Sequence, residues 1–220
     1  MGTDVRLGAM DGVFTVAGVR PARDGMTISR DAGLGSENTV TFFALGAGTS
    51  ISRERYDMTS MYIGALGEAV FLTGDDAGRQ SFLDGDMLIV PGGTLCGVES
   101  GSGAVYTEII IKKEINMNNL VKAGEVMKLK NLIQYEEGSI SNLDIVSNPT
   151  MKFVLMAFDE GTGLQPHRAP GNAIIFALEG KAVIGYEGKD YTISAGENFR
   201  FEKNGLHSVT ADGKFKMALL

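Results

Sequence analysis

The sequence has no tryptophan, one cysteine (Cys96), two histidines and five prolines in 220 residues. A single cysteine excludes a disulfide-stapled secreted scaffold, so a reducing, cytoplasmic setting is expected. Few prolines and no Gly-X-Y period exclude collagen and Pro-rich low complexity. Cationic surface is also scarce: 20 Lys+Arg against 27 Asp+Glu give a net charge of −7. There is no Lys/Arg-rich run. A polyanion needs a basic face, so neither nucleic acid nor an anionic membrane surface is an expected partner. Apolar runs such as AIIFAL at 173–178 fall far short of the roughly 18 residues that span a bilayer. The opening stretch MGTDVRLGAMDG has no apolar h-region, so no secretory signal is expected. Nucleophile elbows of the Gly-x-Ser-x-Gly type are absent. The glycine clusters at 45–50 and 99–104 lack the Lys-Ser/Thr of a phosphate-binding loop and read as turns.

What is abundant is glycine, with 30 residues, about twice the usual share of about 7%. Many glycines among short apolar runs imply many tight turns, and hence many strands. An internal repeat organises them. A shift of 113 residues aligns Gly25 with Gly138, Asp31 with Asp144, Ala44 with Ala157, Gly48-Thr49 with Gly161-Thr162 and Gly67 with Gly180. Apolar positions follow, with Ile51 on Leu164 and Ala69-Val70 on Ala182-Val183. A shift of 111 then aligns Gly85 with Gly196, Phe82 with Ile193, Leu95 with Leu206 and Val98 with Val209. The pattern predicts two homologous domains, residues 1–114 and 115–220, with the seam in the polar stretch KKEINMNN at 112–119.

Within each half, β-branched or apolar runs are bounded by glycine or charge. Strands are expected at 39–44, 60–63, 68–72, 87–90 and 105–111, and again at 152–158, 173–178, 181–186, 191–193, 207–209 and 215–220. One weak helix candidate spans 119–133, interrupted by Gly124. The expected fold class is all-β, a sandwich or closed barrel, in which residues i and i+2 share a face and side chains from several strands converge on one cavity.

Two segments then carry a resemblance. GTGLQPHRAPGNAIIFALEG (161–180) and GENFRFEKNGLH (196–207) resemble the two motifs of the cupin family. Gly161, His167, Gly180, Gly196 and His207 stand at matching positions. The first half matches the second motif through Gly85, Pro91-Gly92-Gly93 and Cys96, and keeps Gly48 and Gly67 of the first. The whole chain is similar to a bicupin of the small bacterial conserved-barrel type. The resemblance implies two tandem jelly-roll (double-stranded β-helix, RmlC-like) barrels, each built to hold a metal on three histidines and a glutamate.

Departures from that pattern define the candidate site. In the second domain His167 and His207 remain, while Ala169 stands at the second histidine position and Ala173 at the glutamate position. In the first domain Glu54, Tyr56, Ser60 and Cys96 occupy the four positions, so that site reads as lost, with Cys96 a small buried residue. Two histidines in the entire chain, both at ligand positions of one barrel, point to a partial metal site for zinc, iron, nickel, manganese or copper, weakly bound. Gln165 shares the inward face of His167, and Asn172 and Glu202 are further site-lining candidates. No catalytic residue is assigned. The function expected is small-molecule or divalent-metal binding in the C-terminal barrel, in a monomer or homodimer. The alternatives are a metal-dependent dioxygenase or isomerase, and a structural module whose barrel is packed shut by Phe176, Phe199 and Phe201.

Overall fold

The computed structural model describes Met10, residues 12–35 and residues 38–220. Most of the opening stretch read for a signal lies outside the described residues. The chain runs through β1 (Val13–Phe14), a one-turn helix α1 (Val16–Val19), β2 (Thr27–Asp31), β3 (Thr39–Leu45), β4 (Thr49–Arg55), β5 (Thr59–Thr73), β6 (Gly78–Leu83), β7 (Asp86–Val90), β8 (Leu95–Ser100) and β9 (Ala104–Ile111). It continues through β10 (Asn116–Met117), β11 (Met127–Lys128), a 3₁₀ turn (Leu129–Asn131), β12 (Ile140–Asn148), β13 (Met151–Phe158), β14 (Gly163–Arg168), β15 (Ala173–Tyr186), β16 (Lys189–Ser194), β17 (Asn198–Phe201) and β18 (Leu206–Leu219).

These strands form two curled antiparallel barrels of jelly-roll type. One follows the order β11-β7-β5-β9-β3-β2, with β6 and β8 on β5 and β4 on β8. The other follows β1-β17-β15-β18-β13-β12-β10, with β14 on β18 and β16 on β15. Segments expected as separate strands at 60–63 and 68–72 are one bent strand, β5, and 173–178 and 181–186 are likewise one, β15. The glycines between them bend the strand instead of ending it. Gly67 (φ 73°) and Gly180 (φ 76°) take left-handed backbone, and a Cβ there would sit 2.3 Å from the Gly103 carbonyl oxygen and 1.9 Å from that of Lys214. The repeat therefore preserves a shared steric need at both positions. Gly180→Ala combines left-handed strain with a backbone collision, and a loss of about 3 kcal/mol or more is expected in chemical denaturation.

The helix expected at 119–133 is absent; that segment holds only β11 and the 3₁₀ turn. Its residues serve the sheet instead: Met127 and Lys128 pair with Met87 and Asp86, and Lys128 forms a 2.7 Å ion pair with the buried Asp86. Reciprocally, β1 from the start of the chain pairs with β17 through Val13↔Phe199. Each barrel thus borrows a short strand from the other half of the sequence.

Strand alternation explains three cores. In β3, Val40, Phe42 and Ala44 face a cluster shared with Phe153, Leu155 and Ala157 of β13 and Ile174 and Phe176 of β15. That cluster lies between the barrels. Leu45 and the partly buried Phe43 face the opposite way, into the first barrel, with Tyr62, Phe71, Phe82 and Tyr106. Phe158, Ile175, Ile184, Phe199 and Phe201 fill the second barrel. Sheets buried on both faces read as nearly continuous apolar runs, which is why β3, β9 and β13 stood out in the sequence. No helix among the described residues is long and apolar enough to cross a membrane.

Candidate metal and ligand site

The second barrel presents its two histidines through a defect in one ladder. Strands β14 and β18 pair through Gly163↔Thr210 and Leu164↔Val209, slip, and resume with His167 opposite His207. Gln165 and Pro166 occupy the slip, where a proline nitrogen is tolerated because no ladder bond is required of it. On the other side, Asn204 (φ 65°) takes the left-handed turn that delivers His207, a conformation asparagine tolerates better than most residues.

The two rings lie 4.2 Å apart between centroids, with their planes at 52°. His207 is buried and stacks on Phe201 at 4.2 Å and 28°. His167 sits at the exposed rim. Each Nδ1 is tied to a main-chain carbonyl: His167 to Gln165 O at 2.9 Å and His207 to Gly205 O at 3.1 Å. A carbonyl can only accept, so each Nδ1 carries the proton and donates it, and each neutral ring keeps its lone pair on Nε2. Metal-ligating histidines are oriented in this way. No described residue hydrogen-bonds either Nε2.

Burial lowers the His207 pKa, the Gly205 carbonyl partly opposes this, and nearby His167 lowers it further. The folded state therefore binds fewer protons at His207 than the unfolded chain does, and stability rises with pH across that interval. The contribution is complete above the unfolded value of about 6.5 and is lost as pH falls below it. Thermal melts from pH 7.5 to 5 are expected to show this acid loss, and His207→Phe is expected to flatten it.

Both rings line a cavity of about 550 Å³ at the barrel mouth. Ala169 and Ala173, at the positions where the family carries a histidine and a glutamate, line the same space. Short side chains there leave room and remove donors together. Among the described residues no group of three or more His, Cys, Asp or Glu is placed to hold a metal. Part of the wall comes from the other half of the chain: Leu34, Gly35, Asn38 and Val40. Arg200 straps this wall down by donating to the carbonyls of Ala32 (3.0 Å) and Gly33 (2.9 Å).

The other sequence-named residues take different places. Gln165 contributes its main-chain carbonyl to His167. Asn172 lines the cavity, but its amide is engaged: Oδ1 accepts from the Lys203 N–H at 2.8 Å, and Nδ2 donates to the Leu34 carbonyl at 3.3 Å. Glu202 faces a separate pocket with Tyr186 and Tyr191 and pairs with Arg200 at 2.8 Å. Sequence reading missed Asn38 and Asn148, which line the cavity; Asn38 Oδ1 and Asn148 Nδ2 are buried with no hydrogen-bond partner. No local motif signals them, because the cavity joins segments more than a hundred residues apart.

The first barrel repeats the scaffold without the imidazoles. Ile51 pairs with Val98, the ladder slips, and Glu54 faces Cys96. Burial pushes the Cys96 thiol up to about 11, so it stays protonated and unreactive near neutral pH.

Two jelly-roll barrels in one chain, each with the same ladder slip, define a tandem-barrel protein. Residues 154–220 match the family described as Cupin domain. The chain is similar to a Cupin 2 conserved barrel domain protein from Leptotrichia buccalis, at 21% identity over 95% of both chains with a TM-score of 0.84. It is also similar to the salicylate 1,2-dioxygenase from Pseudoaminobacter salicylatoxidans with gentisate adducts, at 12% identity over 94% of this chain and 80% of that one, TM-score 0.66. AerE from Microcystis aeruginosa follows at 10% identity over 88% and 96%, TM-score 0.51. No curated protein matches in sequence. The family match thus rests on residues 154–220; at these identities the solved structures establish the fold of the chain.

Proposed function

We propose that this protein binds a small molecule, together with a divalent metal ion, at the mouth of its C-terminal barrel, with His167 and His207 as the two protein ligands. The observation that carries this reading is the orientation of the pair: both Nδ1 atoms are spent on carbonyls and both rings line one 550 Å³ cavity. That volume lies within the range of small-molecule sites. Leu34, Val40, Met151, Val154, Phe201 and Leu219 make the wall mostly apolar, with Asn38, Asn148 and the two imidazoles as polar positions. The matching occupant is a largely apolar molecule with at least one hydrogen-bonding group.

Two imidazole nitrogens suit zinc, copper, iron or nickel better than manganese, which prefers oxygen ligands. Such an ion would act as a Lewis acid on a ligand oxygen. With only two protein donors, its affinity depends on the ligand completing the shell. The test is Co²⁺ or Zn²⁺ titration of untagged protein by absorbance and calorimetry. Micromolar binding supports the proposal; no divalent metal bound at about 100 μM overturns its metal half. A metal-dependent enzyme is the second reading, favoured by the fold shared with a dioxygenase and weakened because no carboxylate base stands beside the imidazoles among the described lining residues. Oxygen consumption with added iron separates the two.

A further inference from the structure

The first barrel, though stripped of histidines, is not filled. A cavity of about 150 Å³ lies inside it, lined by Phe43, Tyr56, Tyr62, Phe71, Tyr106 and Glu108, with Ser60 and Cys96 beside them. Strand parity builds it: Tyr106 and Glu108 alternate inward along β9, and Glu108 stands directly across from Tyr62 on β5. The rings enclose the space closely. Tyr62 lies 4.7 Å from Phe71 and 5.9 Å from Tyr106, and Tyr106 stacks on Phe43 at 5.4 Å. Tyr56 stands at the exposed rim.

Among the described residues no Lys or Arg lines this cavity. Arg53 is close enough to act on the Cys96 thiol, but its guanidinium is engaged by the carbonyls of Gly74 and Asp75. Among the described residues Glu108 has no ion pair, and the Tyr62 hydroxyl is its hydrogen-bonding neighbour. A carboxyl inside an aromatic box, with no cation supplied by the described residues, is arranged to receive one.

We propose that the N-terminal barrel is a binding site for a small alkylammonium cation, with Glu108 as its counter-ion and Tyr62, Tyr106 and Phe71 as its aromatic walls. At about 30 Å³ per water-sized group, the space takes about five heavy atoms, the size of tetramethylammonium. Charge and ring faces together favour this occupant over a neutral one of equal size, because the ring quadrupole attracts cations. Cys96 and Tyr56 remain neutral near pH 7, since burial raises both, and Glu54 at the rim adds negative charge. Burial also raises the Glu108 pKa against the opposing pull of Tyr62. Cation binding therefore weakens as pH falls through that raised value.

Tyrosine emission reads the site directly, because the chain has no tryptophan and three of its six tyrosines line this cavity. Titration of the full chain with tetramethylammonium is expected to give a saturable change, while tert-butanol, neutral and of similar size, gives none. Glu108→Gln is expected to weaken the cation at least about tenfold and to remove the pH dependence. It also relieves a half-buried carboxyl that has no ion pair among the described residues, so its melting temperature at pH 7 should hold or rise, which guards against misreading an unfolded variant. His167→Ala is expected to leave the titration unchanged, so failure here and failure of the C-terminal site are distinguishable. Equal affinity in Glu108→Gln, equal binding of tert-butanol, or no saturation by about 100 mM overturns the proposal.

Discussion

Replacing His207 by alanine is expected to lower affinity for Zn²⁺ or Co²⁺ by about a hundredfold or more. The proposed site has two protein donors, so either loss removes half of its protein coordination, and the described residues hold no group of three or more His, Cys, Asp or Glu that could replace it. His167→Ala should match it in metal affinity but differ in stability. His167 is exposed, so its truncation should be nearly neutral to folding. His207 is buried against Phe201, and its loss should cost about 1–2 kcal/mol through the vacated contact. Cobalt absorbance read alongside thermal melts separates these effects. If both variants bind metal as the parent does, the imidazoles are not ligands. Replacing Glu202, which faces a different pocket, should leave metal affinity unchanged.

The same comparison marks what the sequence could carry. The motif spacing located His167 and His207 because each follows a backbone requirement: left-handed glycines at fixed distances and a strand that must bend where two backbones touch. Gly67 and Gly180 were visible as repeat positions for that physical reason. Strands β4 and β14 were not visible as strands. Their side chains are mostly polar and half-exposed, so they lack the apolar alternation by which strands are read. The ladder slip that sets His167 against His207 was hidden with them. Glu108 was within reach. It sits in the apolar run 105–111, and period-two counting puts it on the face of Tyr106 and Ile110, inside the barrel. The wall at 34–40 was out of reach, since it meets the site only through tertiary packing.

Separating the halves at residues 114 and 115 is expected to leave neither folded. The shared cluster places Phe42, Met61, Ile63 and Ile109 of one half against Phe153, Leu155, Ile174 and Phe176 of the other. Each fragment would expose its share as a broad apolar patch, well beyond what soluble monomers carry. Each would also lose a borrowed strand. Fragment 1–114 lacks β11, so Asp86 loses both its strand neighbour and the Lys128 ammonium. Fragment 115–220 lacks β1 and leaves the β17 edge open for pairing with another chain. Within the intact chain, Phe153→Ala tests the same layer, because its ring is fully buried between the barrels; a loss of about 3–5 kcal/mol is expected in urea unfolding. One cooperative transition in the parent protein, and aggregation of both fragments by light scattering, would match a shared core. Two independent transitions, or a soluble and folded 115–220, would mean that the barrels stand alone and that the layer between them contributes little.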